Sequence, residues 1–465
     1  MSFLRLLGLV GLSAWFVGCG NEVAETSFVD PGTALWARRF GRGSYVEPVG
    51  LVGVASGGVV VSGRFYGDVD LGGGTLPGPG NNYQAYVARY DGEGNHVYSR
   101  AFGAEFAEMS NDVAVFPDGS ALIVGTFGWP VDLDGITLPW GGSDDAFVAK
   151  LDPAGKVVWA RTFGGAGVQR GTAVAAMPDG GAVVAGQTLG EVDLGIGEPQ
   201  DTSFGSFVVR LDAKGASSWS QMLKGGGEVV TVEDIAVQGE RIAVVGQFMN
   251  AMVVGFEDQL VQSNGFQDGY VVTYDSDGKP LWFHVMGAAG YYDDARSVAF
   301  TADGGLVITG DVEGNVDLGG GFIQAVGEYD TNTYLLELDA ASNHRRSVLY
   351  GGDGWDRGHG VAVTAGGGVI ITGEMAGRMS FGEASLAASE AEIWGDAFVA
   401  ELDADRNPVF LRRFGGSEMQ MGQRAAVDGE GRVYIAGTAV GAVDFGLGPT
   451  PSSGYYETFL VALAP

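Results

Sequence analysis

The sequence has one cysteine and four histidines in 465 residues, and its 26 basic side chains are outnumbered by 57 acidic ones. A single thiol closes no internal disulfide, so the fold must hold by packing and hydrogen bonding. The histidines His96, His284, His344 and His359 are scattered, which argues against a histidine-rich metal cluster. A formal charge of −31 argues against nucleic-acid backbones and anionic lipid surfaces as partners, since both need a basic patch. Beyond the N-terminal stretch, no run is long and apolar enough to span a bilayer as a helix. Gly-x-Ser-x-Gly elbows, phosphate loops and His-Glu-x-x-His motifs are missing, so no catalytic residue, metal or cofactor is expected. Asp275-Ser-Asp277-Gly278 opens like a calcium loop but lacks the downstream glutamate, and it reads as a turn.

The N-terminus carries what the rest lacks. Arg5 supplies a positive start, Leu6 to Val17 an apolar stretch, and Val17-Gly18-Cys19 an ending that resembles a bacterial lipobox. The expectation is a signal peptide over 1–18, lipidation at Cys19, a polar tether to residue 34 and a mature domain over 35–465. That places the protein outside the cytoplasm, held at the outer membrane or cell surface through lipid alone. Ordinary signal-peptidase cleavage, giving a secreted or periplasmic protein, is the alternative.

Glycine is abundant at 81 residues, and it recurs at fixed places in a period of about 62 residues that returns seven times. One phrase of the period ends at Phe40, Phe102, Phe163, Leu223, Met286, Tyr350 and Phe414. Another ends at Gly63, Gly125, Gly186, Gly246, Gly310, Gly373 and Gly437, and a third centres on Tyr86, Phe147, Phe207, Tyr270, Tyr334, Phe398 and Phe459. Short β-rich runs such as Val113 to Phe116, Ala121 to Phe127, Ala146 to Leu151 and Val157 to Phe163 give four strands per unit, A to D. Tight turns such as Pro117-Asp118-Gly119 join A to B, and Asp152 to Gly155 joins C to D. A small residue marks each A strand: Gly53, Ala114, Ala175, Ala236, Ala299, Ala362 and Ala426. That restriction suits innermost strands crowding toward an axis.

The fold expected is therefore all-β, a single seven-bladed β-propeller of four-stranded antiparallel blades. The chain opens on a D strand, Leu35 to Phe40, and closes on a C strand, Thr458 to Ala464. Pairing of the two would close the ring and remove an exposed edge. The phrases Trp159-Ala-Arg-Thr-Phe-Gly-Gly165, Ala182-Val-Val-Ala-Gly186, Val192-Asp-Leu-Gly195 and Asp145-Ala-Phe-Val-Ala-Lys-Leu-Asp152 resemble the bacterial seven-bladed β-propeller (SBBP) repeat family. The fourth unit departs, with Val253-Val254-Gly255 and Lys224. The resemblance implies a propeller on exported or surface proteins and no particular reaction.

Candidate ligand-binding residues gather in D–A loops: Tyr45, Phe106, Tyr291, Tyr292 and Trp355 as aromatic anchors, with Trp129, Trp140, Trp394, Tyr455 and Tyr456 in B–C segments. Charged residues precede the A strands at Asp112, Arg170, Asp234, Asp294, Arg296, Asp356, Arg357, His359 and Arg424, and they are expected at one channel mouth or in an inter-blade salt-bridge girdle. The aspartates Asp70, Asp132, Asp193, Asp317 and Asp444 are expected to bond local backbone N–H groups. The function expected is non-enzymatic binding of an extracytoplasmic protein or glycan by a monomer. A polysaccharide hydrolase or lyase using Asp112, Asp234, Asp294 or Asp356 is the alternative, and a structural surface protein a third reading.

Overall fold

The computed structural model describes residues 29–465 apart from 42, 79, 81, 104–107, 226–228, 255–258, 290–291, 327–329, 389–394 and 453. Cys19 and most of the tether lie outside the described residues, as do Phe106, Tyr291 and Trp394. The described chain is all-β, with no helix.

Each sequence repeat forms a four-stranded antiparallel meander. In the second unit, for example, Glu108–Val115 pairs with Ala121–Phe127, which pairs with Asp145–Leu151 and then Val157–Phe163. The A strands are Tyr45–Gly53, Glu108–Val115, Val168–Ala176, Asp234–Gln238, Asp294–Phe300, Asp356–Val363 and Gln420–Val427. Consecutive A strands pack against one another, and Gln420–Val427 packs against Tyr45–Gly53. The strand Ala34–Phe40 pairs antiparallel with Glu457–Leu463, Phe40 standing opposite Thr458 and Ala37 opposite Val461.

Buried residues of successive units share cores, such as Val60 and Val87 with Ile123 and Phe147, or Phe40 and Tyr86 with Tyr434 and Leu460. The small-residue position holds in six units. In the first, Val52 takes that place opposite Val60, while Gly53 lies one residue on, opposite Val59. A Cβ on Gly53 would stand 2.1 Å from the carbonyl oxygen of Val427, so the glycine there answers a close approach to the last unit.

Two repeated devices tie units together. In the first, D-strand side chains reach the C–D turn of the following unit. Trp36, Trp159 and Trp219 donate through Nε1 to the carbonyls of Gly92, Ala213 and Ser276 at 3.0, 3.2 and 2.7 Å. Two residues later Arg38, Arg100, Arg161 and Gln221 donate to Gly94, Gly155, Gly215 and Gly278. Those glycines have φ of 79 to 81°, a left-handed conformation that costs other residues energy. The sixth unit makes the same grip on the N-terminal segment: Arg412 donates to Gly32 at 3.0 Å, and Gly32 and Thr33 exchange hydrogen bonds with Ala464 where other units have a continuous turn.

The second device explains the Val-Asp-Leu-Gly phrase. Its first and third residues are buried at Val69 and Leu71, Val131 and Leu133, Val192 and Leu194, and Val316 and Leu318. The aspartate between them accepts the N–H of Gly72, Gly135, Gly195, Gly319 or Gly446, at 2.7 to 2.8 Å from Asp70, Asp132, Asp193, Asp317 and Asp444 in turn. These hairpins bridge back to the preceding unit, as Asp193 does to Gly164 and Asp317 to Gly287. Where the phrase is lost, longer pairing replaces it: Lys224 and Gly225 pair with Val253 and Met252, and Gly351 to Asp353 pair with Ser380 to Arg378. Two four-stranded sheets thereby merge into one of eight strands, and another joins the hairpin of the next unit to make six.

Candidate binding site

The A strands carry a β-bulge at one level, between Pro48 and Gly50, Ser110 and Asp112, Gly171 and Ala173, Ala295 and Ser297, Gly358 and Gly360, and Gly422 and Arg424. An extra residue re-aims its side chain and bends the strand. The bulged residues are Val49, Asn111, Thr172, Arg296, His359 and Gln423, and Glu233 holds the matching place in the fourth unit, its N–H bonding Val245. Sequence reasoning singled out only Arg296 and His359. The signal was available: six of the seven lie three residues before the repeated alanine.

The charged candidates do not share one mouth. Arg296 is half-buried between Asp294 and Asp311, and Asp294 also accepts Gln267 Nε2 at 2.6 Å. Burial first, and then Asp311, push the Asp294 carboxyl up while Arg296 opposes the shift. Arg357 bonds Glu374 at 3.2 Å and lies 5.3 Å over the Trp355 ring, while His359 Nε2 stands 3.5 Å from the same glutamate. Arg170 and Asp144 form an exposed pair at 3.2 Å. Arg296 and Arg357 thus pair with carboxylates of their own unit, whereas Arg170 reaches Asp144 of the preceding one. Long side chains on neighbouring strands meet more readily than across a unit boundary packed with small residues.

Asp356 is fully buried, and burial pushes its carboxyl up to about 8, with Asp330 adding to the effect. It belongs to the core and not to a surface site. Trp355 is half-buried, close against Gly395, and so packs where an exposed anchor was expected. Tyr45 begins an A strand, half-buried, and donates to Glu47 at 2.9 Å, while Arg64 donates to the same carboxylate at 2.7 Å. Burial and that glutamate hold the Tyr45 hydroxyl above its usual range.

Asp112, Asp234 and Arg424 are brought together. They line a cavity of about 280 Å³ walled by all seven A strands. Asp112 accepts the N–H groups of Val113 and Val174 at 2.8 and 2.9 Å. Asp234 accepts those of Ile235 and Val298 at 2.8 and 2.9 Å, and the Ser297 hydroxyl at 2.8 Å. Burial and then Asp234 push the Asp112 carboxyl up to about 7, opposed by these amides and by Arg424. Burial likewise raises Asp234.

Exposed aromatic rings gather at one end of the units, apart from Phe322, whose hairpin folds back against His344 at the start of a D strand. Tyr66, Trp129, Phe204, Phe266, Tyr292, Phe322, Tyr455 and Tyr456 all lie in or beside B–C and D–A connections; among the described residues, none is in an A–B or C–D turn. Tyr292 stacks on Phe266 at 5.7 Å, and Trp129 lies 4.8 Å from Trp140. Tyr456 stands 5.7 Å from Tyr45, which meets Tyr83 at 5.5 Å.

No protein-family model matches the chain. The chain is similar to the regulatory protein FlaEY of Caulobacter vibrioides, 24% identical over 345 residues that make up 70% of this chain and 35% of that protein. It thus spans about a third of that relative's length. Among solved structures it is similar to the Pan2 WD40 domain of Neurospora crassa, at 10% identity and a TM-score of 0.44 over 92% of this chain and 96% of that one. A protein of unknown function from Bacteroides caccae matches at 12% identity and a TM-score of 0.38, over 73% of this chain and 94% of that one.

Proposed function

We propose that the chain is an exported, lipid-anchored, seven-bladed β-propeller of the SBBP type, its ring closed by the N-terminal strand, which binds a protein or glycan outside the cytoplasm without catalysis. The cyclic contacts of the A strands and the pairing of Ala34–Phe40 with Glu457–Leu463 support the ring. The observation that carries the binding reading is the gathering of exposed aromatic rings other than Phe322 at the B–C and D–A end. Rigidly mounted aromatic side chains supply contact area at low entropic cost and dominate binding energy where they anchor a partner.

The hydrolase reading is weaker on these observations. Asp294 is neutralised by Arg296 and Asp356 is buried away from solvent. Only Asp112 and Asp234 remain as a pair, and both are tied to main-chain amides.

The test is a glycan and peptide array probed with the full protein and with the double variant Tyr292→Ala, Phe266→Ala. We expect the variant to keep its melting temperature and to lose about tenfold or more in capture, as for a hot spot worth about 2 kcal/mol. The matched control, Asp118→Ala with Asp303→Ala, alters the opposite turns and should leave capture unchanged. If the control weakens capture and the aromatic pair does not, the binding face is the other one. For the anchor, Cys19→Ser should release the protein from membranes; unchanged fractionation would count against lipidation.

A further inference from the structure

The cavity among the A strands has a built electrostatic layout that the aromatic face does not use. Its lining runs from the level of Asp112, Asp234 and Arg424 toward the A–B turns at Val115, Ala176 and Val237, so it extends away from the aromatic end. The two carboxylates are fixed by main-chain donors on either side, and each oxygen still has accepting capacity toward the cavity. Arg424 is the opposite case. Its guanidinium has five N–H donors, yet among the described residues its one hydrogen bond is to the carbonyl of its own neighbour Gln423 at 3.1 Å, and it makes no ion pair. The remaining walls are apolar, including Leu51, Ile235 and Val361.

We infer that this cavity binds a free amino acid, with the α-carboxylate on Arg424, the α-ammonium between Asp112 and Asp234, and a small apolar side chain against the valine and isoleucine walls. A guanidinium with unspent donors matches a carboxylate in fork geometry, while two preset carboxylates match an ammonium and repel a lone anion. The volume of about 280 Å³ lies at the lower end of ligand pockets, which suits a molecule of this size.

The experiment is calorimetric titration of the full protein with glycine, alanine, valine and leucine in turn. The controls are isobutylamine, 3-methylbutanoate and glucose. At least one of the amino acids should bind, and removing either charge from the ligand should cost tenfold or more. Arg424→Gln should abolish the heat while keeping a cooperative melt, because among the described residues Arg424 makes no hydrogen bond or ion pair to another unit and acts on Asp112 and Asp234 only at longer range. Asp112→Asn should weaken binding and lower the melting temperature, because its amide group can accept only one of the two N–H bonds the carboxylate now takes. Absence of binding by all four amino acids overturns the proposal. So does equal binding of 3-methylbutanoate, preference for glucose, or undiminished binding by Arg424→Gln.

Discussion

The two ends of the repeated units are built from the same strands and put to different use. At the A–B and C–D end, the repeated phrases are consumed by structure: Asp152, Asp212, Asp275, Asp339 and Asp403 each accept two backbone N–H groups of their own turn. The glycines of those turns receive the arginines and aromatic rings of the preceding unit. The B–C and D–A end is irregular, varies from unit to unit and exposes its rings. Regularity in this chain marks the joints between units, and departure from it marks the end where most exposed rings lie.

The largest expected effect comes from removing the joint between the chain ends. Deleting Ala34–Phe40 strips Glu457–Leu463 of its partner and removes Trp36 and Arg38 from the turn at Gly92 and Gly94. The truncated protein should aggregate or lose its cooperative thermal transition, as seen by calorimetry and sedimentation; a normal melt would mean that the strand is dispensable.

A second test sets the buried carboxyls against the exposed turn aspartates. Burial pushes Asp112 and Asp293 up to about 7 and Asp356 up to about 8, so the folded state holds these protons more tightly than the unfolded chain. Their contribution is full below the unfolded carboxyl pKa of about 4 and is lost as pH rises through about 7 to 8. The melting temperature should fall from about pH 5 to about pH 9, and Asp356→Asn should flatten part of that fall. The exposed turn aspartates Asp303 and Asp118 are held below their usual range, Asp303 first by Arg345 and Asp118 first by Ser120. Their small, solvent-screened contribution has the opposite sign, present above about pH 4 and lost on acidification.

A narrower comparison uses two glycines that both hold a positive φ. Gly278 has φ of 79° and a Cβ there would stand 2.5 Å from the Trp219 ring, whereas Gly142 at 109° has nothing within 4 Å. Gly142→Ala should cost about 1 kcal/mol from the backbone alone, and Gly278→Ala clearly more, up to about 3 kcal/mol, in chemical denaturation. Equal losses would mean that the ring clasp contributes nothing.

The smallest stability effect is expected at the exposed rings. Tyr292→Ala should lie within about 0.5 kcal/mol of the parent, as surface changes usually do, while Trp355→Ala, half-buried beneath Arg357, should cost about 1 to 2 kcal/mol. A reversed order would exchange their roles as surface and packing residues.

Much of the strand pattern was legible. Ala121–Phe127 and Val157–Phe163 fall where alternation and turn residues place them, and the turn reading of Asp275 and the Asp70 series matches their hydrogen bonds. The A strands ran longer than expected, Glu108–Val115 against Val113 to Phe116, because a bulge interrupts alternation without ending the strand. The same bulge hid Asn111, Thr172, Glu233 and Gln423, which look like loop polarity until the register is known.

The amino-acid order by itself determined the all-β class, the repeated unit and its turns, since these depend on side-chain period and on local demands for glycine and aspartate. Only the tertiary structure decided how distant charges meet. Asp112, Asp234 and Arg424 lie in three different units and converge in one cavity, whereas Arg296 and Arg357, from the same class of position, are spent on Asp311 and Glu374 across a single strand pair. Which partner a charge finds depends on inter-strand register and on the packing of one unit against the next, and neither is written in the spacing of residues along the chain.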